Sequence, residues 1–348
     1  MNNPIVITGI GILSPLGIGV EETAAALREG EPALLPCSRF TPPAGFSPLC
    51  GEVPAFRAEE FLATPKAYLD RQSELLLAAT GMALRHAGLD AGKLSPERSG
   101  ILVGTAWAGQ DTMAAFFADY VQKGPRLVKP FLFPHTYFNT AISLAAMEWS
   151  LRGVHQSFAS GRVAAGQALV EACDLLADDA ADVILAGGSE ALGPALCRTL
   201  AALGWLKPAG NDTRPGLVPG EAGVMLALER RSHAAARGAT MLATICGAGL
   251  AATAPAAAQQ ALQRAGISGS DLALVVSSAN GQAAVAAAEA AVAIHGCPVL
   301  TPATLCGDTQ GACAALHLAL AVLQAAQGPA LVLATDAAGG AVALVVGR

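Results

Sequence analysis

Arg162 and Asp308 are the two residues on which the chemistry of this chain turns. Each follows a glycine, in Phe158-Ala-Ser-Gly-Arg-Val163 and Cys306-Gly-Asp-Thr-Gln-Gly311, and each stands just before an apolar helical run. A helix N-terminus offers unpaired N–H groups and a partial positive charge, which suits an acyl nucleophile or a developing oxyanion. Neither residue is such a nucleophile. Cys306, two residues before Asp308, is the thiol closest in sequence to either, and Cys173, Cys197 and Cys313 read as buried structural thiols among apolar neighbours. The eight cysteines show no CxxC pair and no metal-ligand spacing. Val6-Ile-Thr-Gly-Ile-Gly11 has two glycines of a dinucleotide fingerprint, but Leu13-Ser14 stands where the third should follow, and no acidic residue comes after a second strand at the required distance. The expectation is a protein with no cofactor and no metal, and an oxidoreductase is a distant last among the function classes.

The elements that position these residues repeat along the chain. Ala83-Leu-Arg-His-Ala-Gly88 and Gly100-Ile-Leu-Val-Gly104 are matched by Ala261-Leu-Gln-Arg-Ala-Gly266 and Leu272-Ala-Leu-Val-Val276: a helix closed by glycine, then an apolar strand. Ser160–Gly166 opens a helix leading to the strand Asp182–Gly188, and Cys306–Gly311 opens another leading to Ala330–Thr335. Strands without polar alternation belong in a sheet covered on both faces, and helix-strand order implies parallel pairing. The chain therefore reads as two pseudo-symmetric α/β halves, residues 1–240 and 241–348, with the Gly161-Arg162 and Gly307-Asp308 turns as equivalents meeting at the seam.

Composition agrees. Of 348 residues, 53% are hydrophobic and only 14% charged, which suits a large core or an obligate partner surface. A net charge of −6 without Lys/Arg runs excludes nucleic acid as a ligand. Thr309–Thr335 has the length of a membrane span, but Gly328-Pro329 divides it, so a buried helix and a buried strand are expected and no span. With no basic start ahead of the strand at Pro4, the protein is expected in the cytoplasm with reduced thiols.

Val6–Gly11 with Ser14-Pro-Leu-Gly17, Gly124–Pro130, Ala181–Glu190 (ADVILAGGSE), and above all Pro219–Glu229 (PGEAGVMLALE) with His233–Ala239 resemble the β-ketoacyl synthase branch of the thiolase-fold enzymes. The resemblance covers nearly the whole chain and implies a thiolase-like fold layered αβαβα. That family uses a cysteine at a helix N-terminus, two histidines and a lysine. Here the cysteine position falls on Arg162, the first histidine's motif on Asn280-Gly-Gln-Ala-Ala284, the second histidine on Asp308 and the lysine near Ala303, while the gatekeeping phenylalanine falls near Ala338. A guanidinium is no acyl nucleophile. A lone buried charge would cost several kcal/mol, so Arg162 and Asp308 are expected to pair, with Asn280 as a hydrogen-bond partner.

A scaffold of this kind without its catalytic set resembles the chain-length factor of type II polyketide systems, of which the aryl polyene and highly reducing polyene systems are candidates. The resemblance implies a heterodimer with an active ketosynthase, supplied by an acyl carrier protein. Met113, Phe116, Phe117 and Tyr120, at helical spacing in Asp111–Tyr120, are expected to line the partner's acyl tunnel. Phe131, Phe133, His135, Tyr137 and Phe138 are expected at the partner interface. Two alternatives are an active transferase using Asp308 with Cys306 or His135, and a purely structural partner.

Overall fold

The computed structural model describes residues 3–89, 92–294, 296–324 and 328–347. Its strands are β1 (Ile5–Ser14), β2 (Gly17–Ile18), β3 (Leu35–Pro36), β4 (Leu49–Cys50), β5 (Ser99–Gly104), β6 (His155–Phe158), β7 (Val183–Glu190), β8 (Ala222–Arg230), β9 (Ala243–Ala251), β10 (Leu274–Val276), β11 (Val299–Leu300), β12 (Ala330–Thr335) and β13 (Ala341–Gly347). The large sheet runs β11-β10-β12-β13-β9-β1-β8-β7-β5-β6, with β2 paired to β1, and β3 and β4 form a separate hairpin. Read outward from the β1–β9 junction, both sides have the same plan. A long strand pairs antiparallel with the next (β1 with β8, β9 with β13), then antiparallel again (β8 with β7, β13 with β12), and two parallel pairings end the series.

The junction itself is short: Ile5–Ile7 against Ala243–Ile245. Its shortness lets the two five-stranded halves fold over one another. Alternate side chains then pack into different layers. Ile5, Ile7, Ile10, Ile12, Leu226, Leu228 and Ile184 share one core with Val332, Val342 and Leu344 and with the helices Ala164–Ala177 and Cys313–Leu323. The opposite faces of these strands and of β5 (Met225, Ala227, Val183, Leu185, Ile101, Val103) are covered by the helices Arg71–His86 and Thr140–Trp149. On the other side Leu331, Leu333, Ala343 and Val345 are covered by the helix Ala254–Ala265. Helix, sheet, helix pair, sheet, helix is the αβαβα thiolase-like arrangement.

Two glycines in β1 set how close the outer helix comes. A Cβ on Gly11 would lie 1.8 Å from the carbonyl oxygen of Ala79, and one on Gly9 2.3 Å from that of Ala83. The glycines that imitate a dinucleotide fingerprint are there for helix-on-strand contact. The apolar stretch after Thr309 becomes a helix whose every residue from Cys313 to Val322 is buried, followed by β12. Among the described residues no helix is long and apolar enough to cross a membrane.

Candidate functional site

The two middle-layer helices each begin with a single 3₁₀ turn, Gly161–Val163 and Gln310–Ala312. The first residue of each turn has positive φ, 68° at Gly161 and 47° at Gln310. This corrects the equivalence expected from the sequence. Arg162 matches Gly311, and Asp308 lies three residues further upstream. Gly307-Asp308 resembles Gly161-Arg162 in glycine placement but belongs to the preceding turn, where Asp308 is held by backbone bonds to Val218 and Gly220.

The two ends are capped across the seam. Glu190, closing β7, accepts from the N–H groups of Gly311 (3.2 Å), Ala106 (2.7 Å) and Trp107 (3.0 Å). Asp336, following β12, accepts from the N–H of Arg162 (3.0 Å). Each half thus ends a strand in an acid that caps the helix of the other half, where amides and dipole favour negative charge. Gly161 suits this turn: its φ is 68°, and a Cβ there would stand 2.5 Å from Asp336 Oδ2 and displace the capping carboxylate.

Arg162 lies beneath this cap, 4% exposed. Its Nε sits 3.3 Å from Asp308 Oδ1 and 3.2 Å from Oδ2. Its Nη2 donates to the carbonyl of Ser278 at 2.8 Å, and Nη1 to that of Thr335. Asp308, 2% exposed, also accepts from Asn280 Nδ2 and from the Gln310 N–H at 3.0 Å. Burial works against the charge on Arg162, but the surrounding acidic groups, Asp308 foremost, together outweigh it and hold the pKa above the ordinary arginine value. The carbonyls that receive the guanidinium are themselves fixed by Glu289. It accepts from Ser278 N (3.0 Å) and from the hydroxyls of Ser277, Ser278 and Thr335. Neither Glu289 nor Asp336 was singled out in the sequence. Each is an acidic residue in an apolar, alanine-rich stretch, and that is the signal that could have found them.

The remaining expected site residues are placed as follows. Ala303 opens the short helix Ala303–Cys306, and Ala338 donates its N–H to Asp336 Oδ1 at 2.8 Å. The Cys306 thiol is buried, donates to the Pro302 carbonyl at 3.2 Å, and is pushed by burial up to about 12. Cys313 donates to the Arg162 carbonyl at 3.1 Å and is likewise raised to about 12. Protonated thiols of this kind are not nucleophiles. His135 packs edge-on against Tyr68, with ring centroids 4.8 Å apart, and Asp308's hydrogen-bond partners are Arg162, Asn280 and Gln310.

The two aromatic groups are joined. Met113, Phe116, Phe117 and Tyr120 lie on the helix Gln110–Lys123. Phe116 meets Phe117 at 5.8 Å and Phe133 at 5.7 Å, Phe133 meets Tyr137 at 5.2 Å, and Phe131 meets Tyr68 at 6.2 Å. Phe117, Tyr120, Phe131, Phe133, Tyr137 and Phe138 are all more than two-fifths exposed.

Family comparison agrees with this architecture. The β-ketoacyl synthase N-terminal domain family matches residues 2–234. The chain belongs to the β-ketoacyl synthase family. It is 31% identical over 261 residues to nodulation protein E of Rhizobium sp. (strain N33), covering 73% of this chain and 64% of that protein. It is 30% identical over 309 residues to 3-oxoacyl-[acyl-carrier-protein] synthase 2 of Rhizobium meliloti (strain 1021), covering 77% of this chain and 72% of that one. The matched region thus spans roughly two thirds of these relatives. Among solved structures, a chain of the ishigamide ketosynthase/chain length factor superposes with a TM-score of 0.90 at 23% identity, covering 99% of both chains. A chain from a ketosynthase in complex with its chain length factor from Xenorhabdus doucetiae gives 0.80 at 18% identity, covering 99% of this chain and 98% of that one. These likenesses establish the fold.

Proposed function

We propose that this chain is a catalytically silent ketosynthase-like subunit, of the chain-length-factor type, that pairs with an active β-ketoacyl synthase and shapes its acyl tunnel. The observation that carries this reading is Arg162. The position that holds the nucleophile in related enzymes is filled by a buried guanidinium whose three nitrogens are all engaged within the chain. The helix-end amide that would hold an oxyanion is taken by Asp336. In this reading Asn280 and Asp308 stand at the histidine positions, Asp308 answering Arg162 and Asn280 donating to Asp308, and Ala303 supplies no ammonium at the lysine position. An active transferase built on Cys306 would need a thiolate where burial keeps a thiol.

The exposed aromatic ladder supports the partner half of the reading. Monomeric proteins rarely leave a contiguous face of large aromatic rings in water, and such faces mark interfaces. Met113, Phe116, Phe117 and Tyr120 are placed in this reading at the wall of the partner's tunnel, with Phe131, Phe133, His135, Tyr137 and Phe138 at the subunit contact. An acyl carrier protein delivers the growing chain to the partner's cysteine in polyketide or polyene elongation, with aryl polyene and highly reducing polyene systems as the candidates. We place the complex in the cytoplasm and the boundary between the two halves near residue 240, between β8 and β9. The test is co-expression with an active β-ketoacyl synthase from the same organism. Stable 1:1 co-purification, and loss of product when either chain is omitted, is the expected result. A ketosynthase that purifies alone and makes the same products without this chain contradicts the proposal.

A further inference from the structure

Away from the seam, the hairpin of β3 and β4 gathers three groups that their sequence spacing conceals. Leu35 pairs with Cys50 and Pro36 with Leu49, and the Cys37 N–H continues the ladder to the Pro48 carbonyl at 2.9 Å. Side chains two apart on a strand share a face, so Cys37, Cys50 and Glu52 project together. Their donor atoms lie within 4.8 Å of one another, and Cys37 Sγ is 3.5 Å from Glu52 Oε1. In a tetrahedral zinc site, bonds of about 2.3 Å to sulfur and about 2.1 Å to oxygen put those two ligands about 3.6 Å apart. The pair is therefore already at ligand spacing, and the Cys50 thiol lies within 4.8 Å of both. We propose that Cys37, Cys50 and Glu52 form a three-ligand site for a borderline-soft divalent cation of the zinc type, with the fourth position open to an exogenous donor.

Charge and surroundings suit such an ion. Ligation releases the two thiol protons, leaving two thiolates and a carboxylate around a dication, a net charge of −1. Arg39 balances it: its Nε is 3.0 Å from Glu52 Oε1, and its Nη2 is 2.8 Å from Glu221. Ser38 orients the carboxylate through its N–H at 2.9 Å and through its hydroxyl, the kind of outer contact that tunes metal ligands. Leu192, Cys197 and Phe40 close the apolar side. The site would act as a clip. Gly51, between two ligands, bonds to Pro219 (2.9 Å) and Glu221 (3.0 Å), and Gly220 bonds to the carbonyl of Asp308 (2.9 Å). A cation here would fix from outside the segment that holds Asp308 in place.

The test is titration of the full chain, reduced and chelator-stripped, with Co²⁺ as a spectroscopic probe. We expect one equivalent to bind, with thiolate-to-cobalt charge-transfer absorption and tetrahedral d–d bands, and with a rise in melting temperature. Cys37→Ser and Cys50→Ser should abolish the charge-transfer band, and Glu52→Gln should weaken Co²⁺ binding about tenfold or more. Cys173→Ser, on the helix Ala164–Ala177, should leave the spectrum unchanged. Circular dichroism melts of each metal-free variant establish that it is folded. Absence of the band in the folded wild-type chain overturns the proposal, as does a band retained in the Cys37→Ser/Cys50→Ser double variant. A non-reduced chain two hydrogens lighter, with no cobalt spectrum after reduction, would assign the thiols to a disulfide instead and overturn it too.

Discussion

A guanidinium at 4% exposure destabilises a fold by several kcal/mol unless its charge and its donors are all answered. Here a carboxylate and two carbonyls answer them, so the network is stable as a unit and fragile in parts. Arg162→Ala leaves Asp308 buried without its cation and should cost about 3–5 kcal/mol in urea unfolding. Arg162→Lys should also lose stability, because one ammonium cannot reach three acceptors in different directions; a lysine variant as stable as wild type would show that the fork geometry is immaterial. His317, whose Nδ1–H donates to the Leu333 carbonyl, is lowered by burial from 6.5 to about 4. The unfolded chain therefore takes up the extra proton first. Stability from this group is full above pH 6.5 and falls as pH drops toward 4, by roughly 3 kcal/mol. Glu190 runs oppositely: burial raises it from 4.5 to about 7, so its contribution is full below pH 4.5 and is lost as pH rises through 7. His317→Gln should flatten the acid limb between pH 6.5 and 4 relative to wild type, and an unchanged limb would refute this assignment. At this scale the sequence made the Arg162–Asp308 pair and its Asn280 partner legible, because two opposite charges in otherwise apolar segments must answer one another. Asp336 and Glu289 were not legible, since their roles depend on which carbonyls and amides tertiary packing brings to them.

Elements carry the next set of constraints. The helix Arg71–His86 lies on β1 at backbone contact distance, so Gly11→Ala should cost at least the upper part of the about 1–3 kcal/mol typical of overpacking; thermal melts would show it. Buried strands and glycine-capped helices were readable from their lack of polar alternation and from Gly88 and Gly266, both at positive φ. The register of the pseudo-symmetry was not. Two Gly-charge dipeptides appeared equivalent, but the helix start on the second side is at Gln310, where a non-glycine residue adopts the left-handed backbone. The helix Gln110–Lys123 presents Phe117 and Tyr120 to solvent and joins Phe116 to Phe133. The sequence separated these into two clusters, because Phe116 and Phe133, seventeen residues apart, meet only through the fold. Phe116→Ala or Phe117→Ala in the reconstituted complex should lengthen the products by removing bulk from the tunnel end. An unchanged product distribution in both would remove these residues from the tunnel wall.

At the scale of the whole molecule, three cores in five layers hold two halves together around a seam that contains the buried Arg162–Asp308 pair. The scaffold is intact and its outer aromatic face is uncovered, which is the combination expected of a subunit that contributes shape. The most direct measurement is the intact mass of both chains after the reconstituted complex is incubated with an acyl-loaded carrier protein. The account predicts an acyl adduct on the partner's chain alone, with this chain at its unmodified mass. A stable acyl adduct on this chain, or condensation by this chain in isolation, would contradict it.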